Sequence, residues 1–156
     1  MDMLIDALLE WIAANSTYET RTMVHPVVLE LSPQDLTREF YSGAPQLIPT
    51  SGIDDRVLGL YAPDDGSHGT IYLLAPANVE DAEFFDVPED NPIFREMLLH
   101  ELIHHAQWQS GTAATWPCDK IGESEAYLLG GRWLKQRGVT DPIPNRNFWA
   151  HVYTAC

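Results

Sequence analysis

Positive charge is what this sequence has least of. Nine lysines and arginines stand against 23 aspartates and glutamates in 156 residues, a formal net charge of −14. A surface of that sign repels the phosphates of nucleic acids and anionic lipid headgroups at long range, so neither is an expected partner. Long apolar runs are missing as well: none approaches the ~18 residues at which a membrane-spanning helix is read. No basic residue precedes Arg21, while Asp2, Asp6 and Glu10 occupy the opening segment, which does not fit an intact secretory signal peptide. The expected location is therefore cytoplasmic, or exported with a leader already removed. There are only two cysteines. Cys118 and Cys156 read either as one disulfide, tying the carboxyl terminus to the segment before the last long helix, or as two buried thiols.

Internal repeats and low-complexity tracts are also lacking, and 45% hydrophobic content excludes a mainly disordered chain. One domain over residues 1–156 is the expectation. Residues 3–14 set Leu4, Ile5, Leu8, Trp11 and Ile12 on one side of a packing helix. Pro26 precedes a first strand-like run, Val27 to Leu31, and Ser32-Pro33 opens a short helix with Leu36, Phe40 and Tyr41 facing inward. Arg56 to Ala62 and Thr70 to Ala75 read as two strands joined by a long hairpin turn, and residues 78–85 as a short helix. The loop between those strands holds two acids, Gly66 and His68, but its spacing matches no cation-binding loop.

The most informative stretch is His100-Glu101-Leu102-Ile103-His104. On an α-helix, residues four apart lie one turn above each other, so His100 and His104 direct two imidazoles at one point. Glu101 flanks that point, where a general base acting on water belongs. The surroundings support a helix. Asn91 suits the N-cap, Pro92 the first helical position and Gly111 the stop, with no proline between. Glu96 and Gln107, one turn to either side, read either as residues that orient a histidine from behind or as side chains that face water. His105 points about a quarter-turn away and reads as a surface or packing histidine rather than a ligand.

A second long helix is expected from Asp119, as cap, to about Arg137, with Gly138 as its stop. It carries two acids within reach of the histidines. Glu125 shares a face with Ile121, Leu128 and Leu129, where an acid is out of place unless something inside pairs with it, and is preferred as third ligand. Glu123, on the face of Tyr127 and Leu134, is the competitor.

The HELIH sequence followed by a Glu-Ala pair in a later helix resembles the gluzincin group of zinc metallopeptidases, in particular its small, minimal members. The likeness is best over residues 70–137. It implies an α+β, zincin-like single domain: a small three-stranded sheet, an active-site helix and a glutamate helix. It further implies Zn2+ as cofactor, with His100, His104 and Glu125 as ligands and Glu101 as catalytic base, a peptide or protein as substrate, and Thr70 to Ala75 as an edge strand. His151, Tyr153 and Tyr72 are the candidates for stabilising an oxyanion. Two other readings compete with a peptidase: a non-catalytic module that keeps the scaffold and binds a peptide or protein, and an acidic DNA mimic that blocks a nucleic-acid-binding protein. The last leaves HELIH without a role.

Overall fold

The computed structural model describes residues 1–156 and is an α+β domain. Five helices, α1 (Asp2–Asn15), α2 (Pro33–Phe40), α3 (Pro92–Gln109), α4 (Lys120–Gln136) and α5 (Arg146–Val152), accompany three strands, β1 (Val27–Leu31), β2 (Gly59–Ala62) and β3 (Thr70–Leu74). The strand order is β1-β3-β2, with β1 parallel and β2 antiparallel to β3. The strand expected at the edge, Thr70 to Leu74, is thus the centre of the sheet. Its composition explains why: in Thr70-Ile71-Tyr72-Leu73-Leu74 all but Tyr72 are buried, the continuous apolar run of a strand covered on both faces. The edges belong to β1 and to the short, glycine-started β2.

The long elements follow from local signals. Asn91 caps α3, its side-chain oxygen accepting from the Ile93 amide at 2.8 Å, and Pro92 takes the first turn. Ser32 caps α2 in the same way through the Asp35 amide. Asp119 precedes α4 without making a side-chain cap bond. In α2 the inward residues are Leu36 and Thr37, whereas Phe40 is exposed. Thr37 is held by its hydroxyl, which donates to the Pro33 carbonyl and accepts from the Asp54 amide, so the helix turns that face to the core. Residues 78–85 hold only the end of one 3-10 turn, Pro76–Asn78, and a second, Ala82–Phe84, rather than a helix.

The core gathers Ile5, Leu8, Leu9 and Ile12 of α1, Ile71 and Leu73 of β3, and a long apolar series from α3. α3 is buried on nearly every side: eleven of its eighteen residues are inaccessible, among them Glu96, Glu101, His105 and Gln107. It packs on α4, β2, α1 and β3 and is the element the others surround.

Beyond α4 the chain passes Pro142 and Pro144, forms α5 against α4, and ends at Cys156, which is disulfide-bonded to Cys118 just ahead of α4. Of the two readings of these cysteines, the structure has the bridge. It closes the 38-residue separation that contains the whole glutamate-bearing helix. By the chain-entropy estimate, a loop of that size is worth about 4 kcal/mol. Reduction, or a Cys118→Ser/Cys156→Ser protein, is expected to lose stability of that order in a urea titration, with α4 and α5 losing amide-exchange protection first. An unchanged midpoint would show that α5 is fixed without the bridge.

Candidate metal centre

His100 and His104 stand one turn apart on the α3 face that meets α4, and their Nε2 atoms lie 3.2 Å from each other. Opposite them is Glu123. Its Oε2 is 3.1 Å from His100 Nε2 and its Oε1 3.4 Å from His104 Nε2. The three side chains offer ligand atoms that all fall within 4.8 Å of one another. The structure therefore brings the histidines together with Glu123 and not with Glu125, the acid preferred from sequence. The reason is the rotation of α4. Residues two apart on a helix face nearly opposite ways, and the buried residues Ala126, Leu129, Trp133 and Leu134 set which side of α4 turns inward.

Glu125 is nevertheless a paired internal acid. It accepts a hydrogen bond from Tyr18 Oη at 2.5 Å and another from Gln107 Nε2 at 3.1 Å. Burial first, and then this bond to the carboxylate, raises the Tyr18 phenol well above its ordinary range. Gln107 spends its amide nitrogen on Glu125 and on the Gly122 carbonyl, 3.0 Å away. Its oxygen is left facing His104 Nδ1 at 2.8 Å. That orientation makes Nδ1 a donor and leaves Nε2 as the ring nitrogen that faces His100 and Glu123. The other residue considered for this supporting role, Glu96, does something else: it forms a buried ion pair with Arg146 at 2.8 Å.

Electrostatics at the cluster follow from the crowding. Burial alone works against a charged His104. The hydrogen bond to Glu123 and the charges of Glu101 and Glu123 outweigh it and push the ring up to about 9. Burial likewise opposes ionisation of Glu123, but the hydrogen bonds from both histidines hold its carboxyl far below the usual range. Glu101 is the contrary case. It is 6% exposed, and burial raises it despite the two neighbouring imidazoles.

Glu101 lies against a residue that the sequence reading did not single out. Gly59, the first residue of β2, lies so close that a Cβ there would sit 2.6 Å from Glu101 Oε1. A glycine at the start of a strand is the available sequence signal for such an approach. Tyr127, one turn after Glu123, packs its ring edge-on to His100 at 5.3 Å and is itself 5.5 Å from Tyr153. Burial, followed by the Tyr153 and Glu123 neighbours, pushes the Tyr127 hydroxyl up to about 12. Of the residues expected near an oxyanion, Tyr153 reaches this aromatic row, Tyr72 donates instead to Asp65 at 2.8 Å, and His151 is exposed on α5. His105 packs as expected, between Tyr61 Oη at 3.2 Å and the Val24 carbonyl at 2.9 Å.

Two imidazole nitrogens and a carboxylate pointed at one spot suit a divalent cation, and zinc in particular accepts this mixed nitrogen and oxygen set. The Gln107 bond fits that use, because it frees the nitrogen that faces the cluster.

Across residues 1–156 the chain matches the family described as Domain of unknown function (DUF6647), and it belongs to that family. No curated protein and no solved structure matches it.

The approach of Gly59 to Glu101 generates a test of the site's packing. Gly59→Ala is expected to lower the unfolding free energy by about 1–3 kcal/mol, as overpacking does. Gly43→Ala, at a position with open space around it, is the control and changes it little. Equal behaviour of the two in denaturant titrations would mean that Glu101 is free to move aside.

Proposed function

We propose that this protein is a zinc-dependent hydrolase of peptide bonds, with His100, His104 and Glu123 as the metal ligands and Glu101 as the general base. The observation that carries the reading is the convergence of the two Nε2 atoms and the Glu123 carboxylate within 4.8 Å, with Glu101 beside them on the same helix. When bound, the ion supplies Lewis acidity: it polarises a carbonyl and makes water a nucleophile near neutral pH.

The chain's own residues divide the remaining work. Gln107 holds His104 in the tautomer that binds through Nε2, and Glu125, itself held by Tyr18, holds Gln107. Glu101 takes the proton of the attacking water onto its carboxylate and returns it to the leaving amine nitrogen. Burial favours the protonated carboxyl and so suits it to that exchange. The strand available to an extended substrate is β2, not β3. β2 is an edge of the sheet, and its Gly59 lies against Glu101, so a peptide added along β2 runs past the base. The Cys118–Cys156 bridge suits an oxidising compartment, which favours the exported alternative for location.

Metal content and turnover test the assignment together. Protein purified without chelator is expected to hold one zinc per chain. Glu123→Ala and His104→Ala lose it, and Glu125→Gln keeps it. Gln107→Ala weakens zinc affinity by about 10–100-fold, the usual cost of losing a ligand's supporting partner. A Glu125→Gln protein unable to bind zinc would return Glu125 to the ligand set. Glu101→Gln is expected to retain zinc and lose turnover on a peptide library. Full metal loading with no hydrolysis by the wild type would favour the binding-module reading.

A further inference from the structure

One cavity lies outside the histidine cluster, between the first turns of α3 and the segment that leads into β2. It measures about 370 Å³, near the lower end of ligand-binding pockets, which run from about 300 to 1,000 Å³. Val57 and Leu58 wall it on one side and Ile93 and Met97 on the other. Both walls lead directly to the site. Leu58 adjoins Gly59, the residue against Glu101, and Met97 precedes Glu101 by one helical turn on α3.

The cavity's charge is one-sided. Four carboxylates line it, Asp54, Asp55, Glu80 and Glu96, and no lysine or arginine does. Two of the four are already matched from behind. Asp54 is bonded to Arg56 at 2.7 Å, and Glu96 to Arg146 at 2.8 Å. Asp55 and Glu80 are exposed, and neither forms a salt bridge. An apolar chamber with two uncompensated acids among its lining residues repels a carboxylate. It offers a plain hydrocarbon only its walls. A side chain with a hydrocarbon stem and a cationic end uses both.

We infer that this cavity is the subsite for a basic side chain, lysine or arginine, of a polypeptide lying along β2. The inference rests on the hydrolase reading for the placement of that polypeptide, and its chemistry is separable from catalysis. The stem packs between Leu58 and Met97, and the cationic end is balanced by Asp55 and Glu80. It assigns the protein a preference for basic segments of its substrate, in keeping with its own net charge of −14.

The test uses the full chain stripped of metal, so that nothing is cleaved, and the blocked tripeptides acetyl-Ala-X-Ala-amide with X arginine, lysine, norleucine or glutamate. Amide NMR titrations are expected to move Leu58, Ile93 and Met97 with the arginine and lysine peptides. Those peptides should bind about three- to tenfold more tightly than norleucine, the range for two exposed charge pairs. The glutamate peptide should bind least. Asp55→Asn/Glu80→Gln alters exposed side chains only and should bring arginine down to norleucine, as should raising the salt. Equal affinity of arginine and norleucine for the wild type, or an unchanged preference in the double variant, would overturn the inference, as would the absence of shifts at the cavity. Zinc binding and hydrolysis, measured in parallel on untreated protein, report separately on the enzymatic reading. Their failure leaves this titration intact.

Discussion

Everything in this domain is arranged around the burial of polar side chains on α3. Glu96, Glu101, His105 and Gln107 are all inaccessible on a helix that the other elements enclose. An unpaired polar group in such a place costs about 1–3 kcal/mol, and more if charged. Each therefore recruits a partner from a distant part of the chain. Arg146 comes from α5 to Glu96, Tyr61 from β2 to His105, and Glu125 from α4 to Gln107. The exception is Glu101. It lies against Gly59 without a side-chain hydrogen bond, and only the two neighbouring histidines favour its ionised form. The helix thus ties three of its buried polar groups to distant partners and leaves the fourth, beside an imidazole pair, free of side-chain hydrogen bonds, where chemistry would need it.

That economy ties the cluster to both ends of the chain. Tyr18, just after α1, holds Glu125; Glu125 helps hold Gln107; Gln107 fixes His104. From the other end, Arg146 fixes Glu96 one turn before His100 and is itself clamped by Asp141 through two bonds of 2.7 and 2.9 Å. The disulfide then secures the carboxyl terminus to the start of the helix that carries Glu123. A ligand set is useful only if its members are held to fractions of an ångström. Here the supporting side chains, Tyr18 and Arg146, come from segments remote from α3 in sequence.

What could be read in the sequence was what local rules decide. The bounds of α3 follow from Asn91, Pro92 and Gly111, and the shared face of His100 and His104 follows from helical spacing alone. The three strands and the antiparallel pairing of β2 with β3 were legible in the same way. The choice between Glu123 and Glu125 was not, because both have apolar helical neighbours and the deciding partner, Tyr18, is 107 residues away from Glu125. Suspecting Glu125 of an internal partner was sound; the partner is a phenol and an amide rather than the histidine cluster. Strand order escaped for a related reason. β1 pairs with β3 across some forty residues, and only the uninterrupted apolar run Ile71-Tyr72-Leu73-Leu74 hinted that β3 lies in the middle. α5 was missed outright. It is seven residues long, follows two prolines and is held by an arginine whose partners lie on other segments.

The position of β2 links the sheet to the chemistry. With β2 at the edge, one four-residue strand does three things at once. It offers unpaired backbone to an extended chain, it sets Glu101 through Gly59, and its approach through Val57 and Leu58 forms a wall of the acidic-lined cavity. A peptide paired with β2 alternates its side chains between the two faces of the sheet. One set of alternate side chains then faces α3, where Met97 of the cavity stands one helical turn before Glu101. The register of backbone pairing would therefore decide which peptide bond meets Glu101 whenever a side chain fills the cavity, so selectivity and bond choice become one geometric constraint.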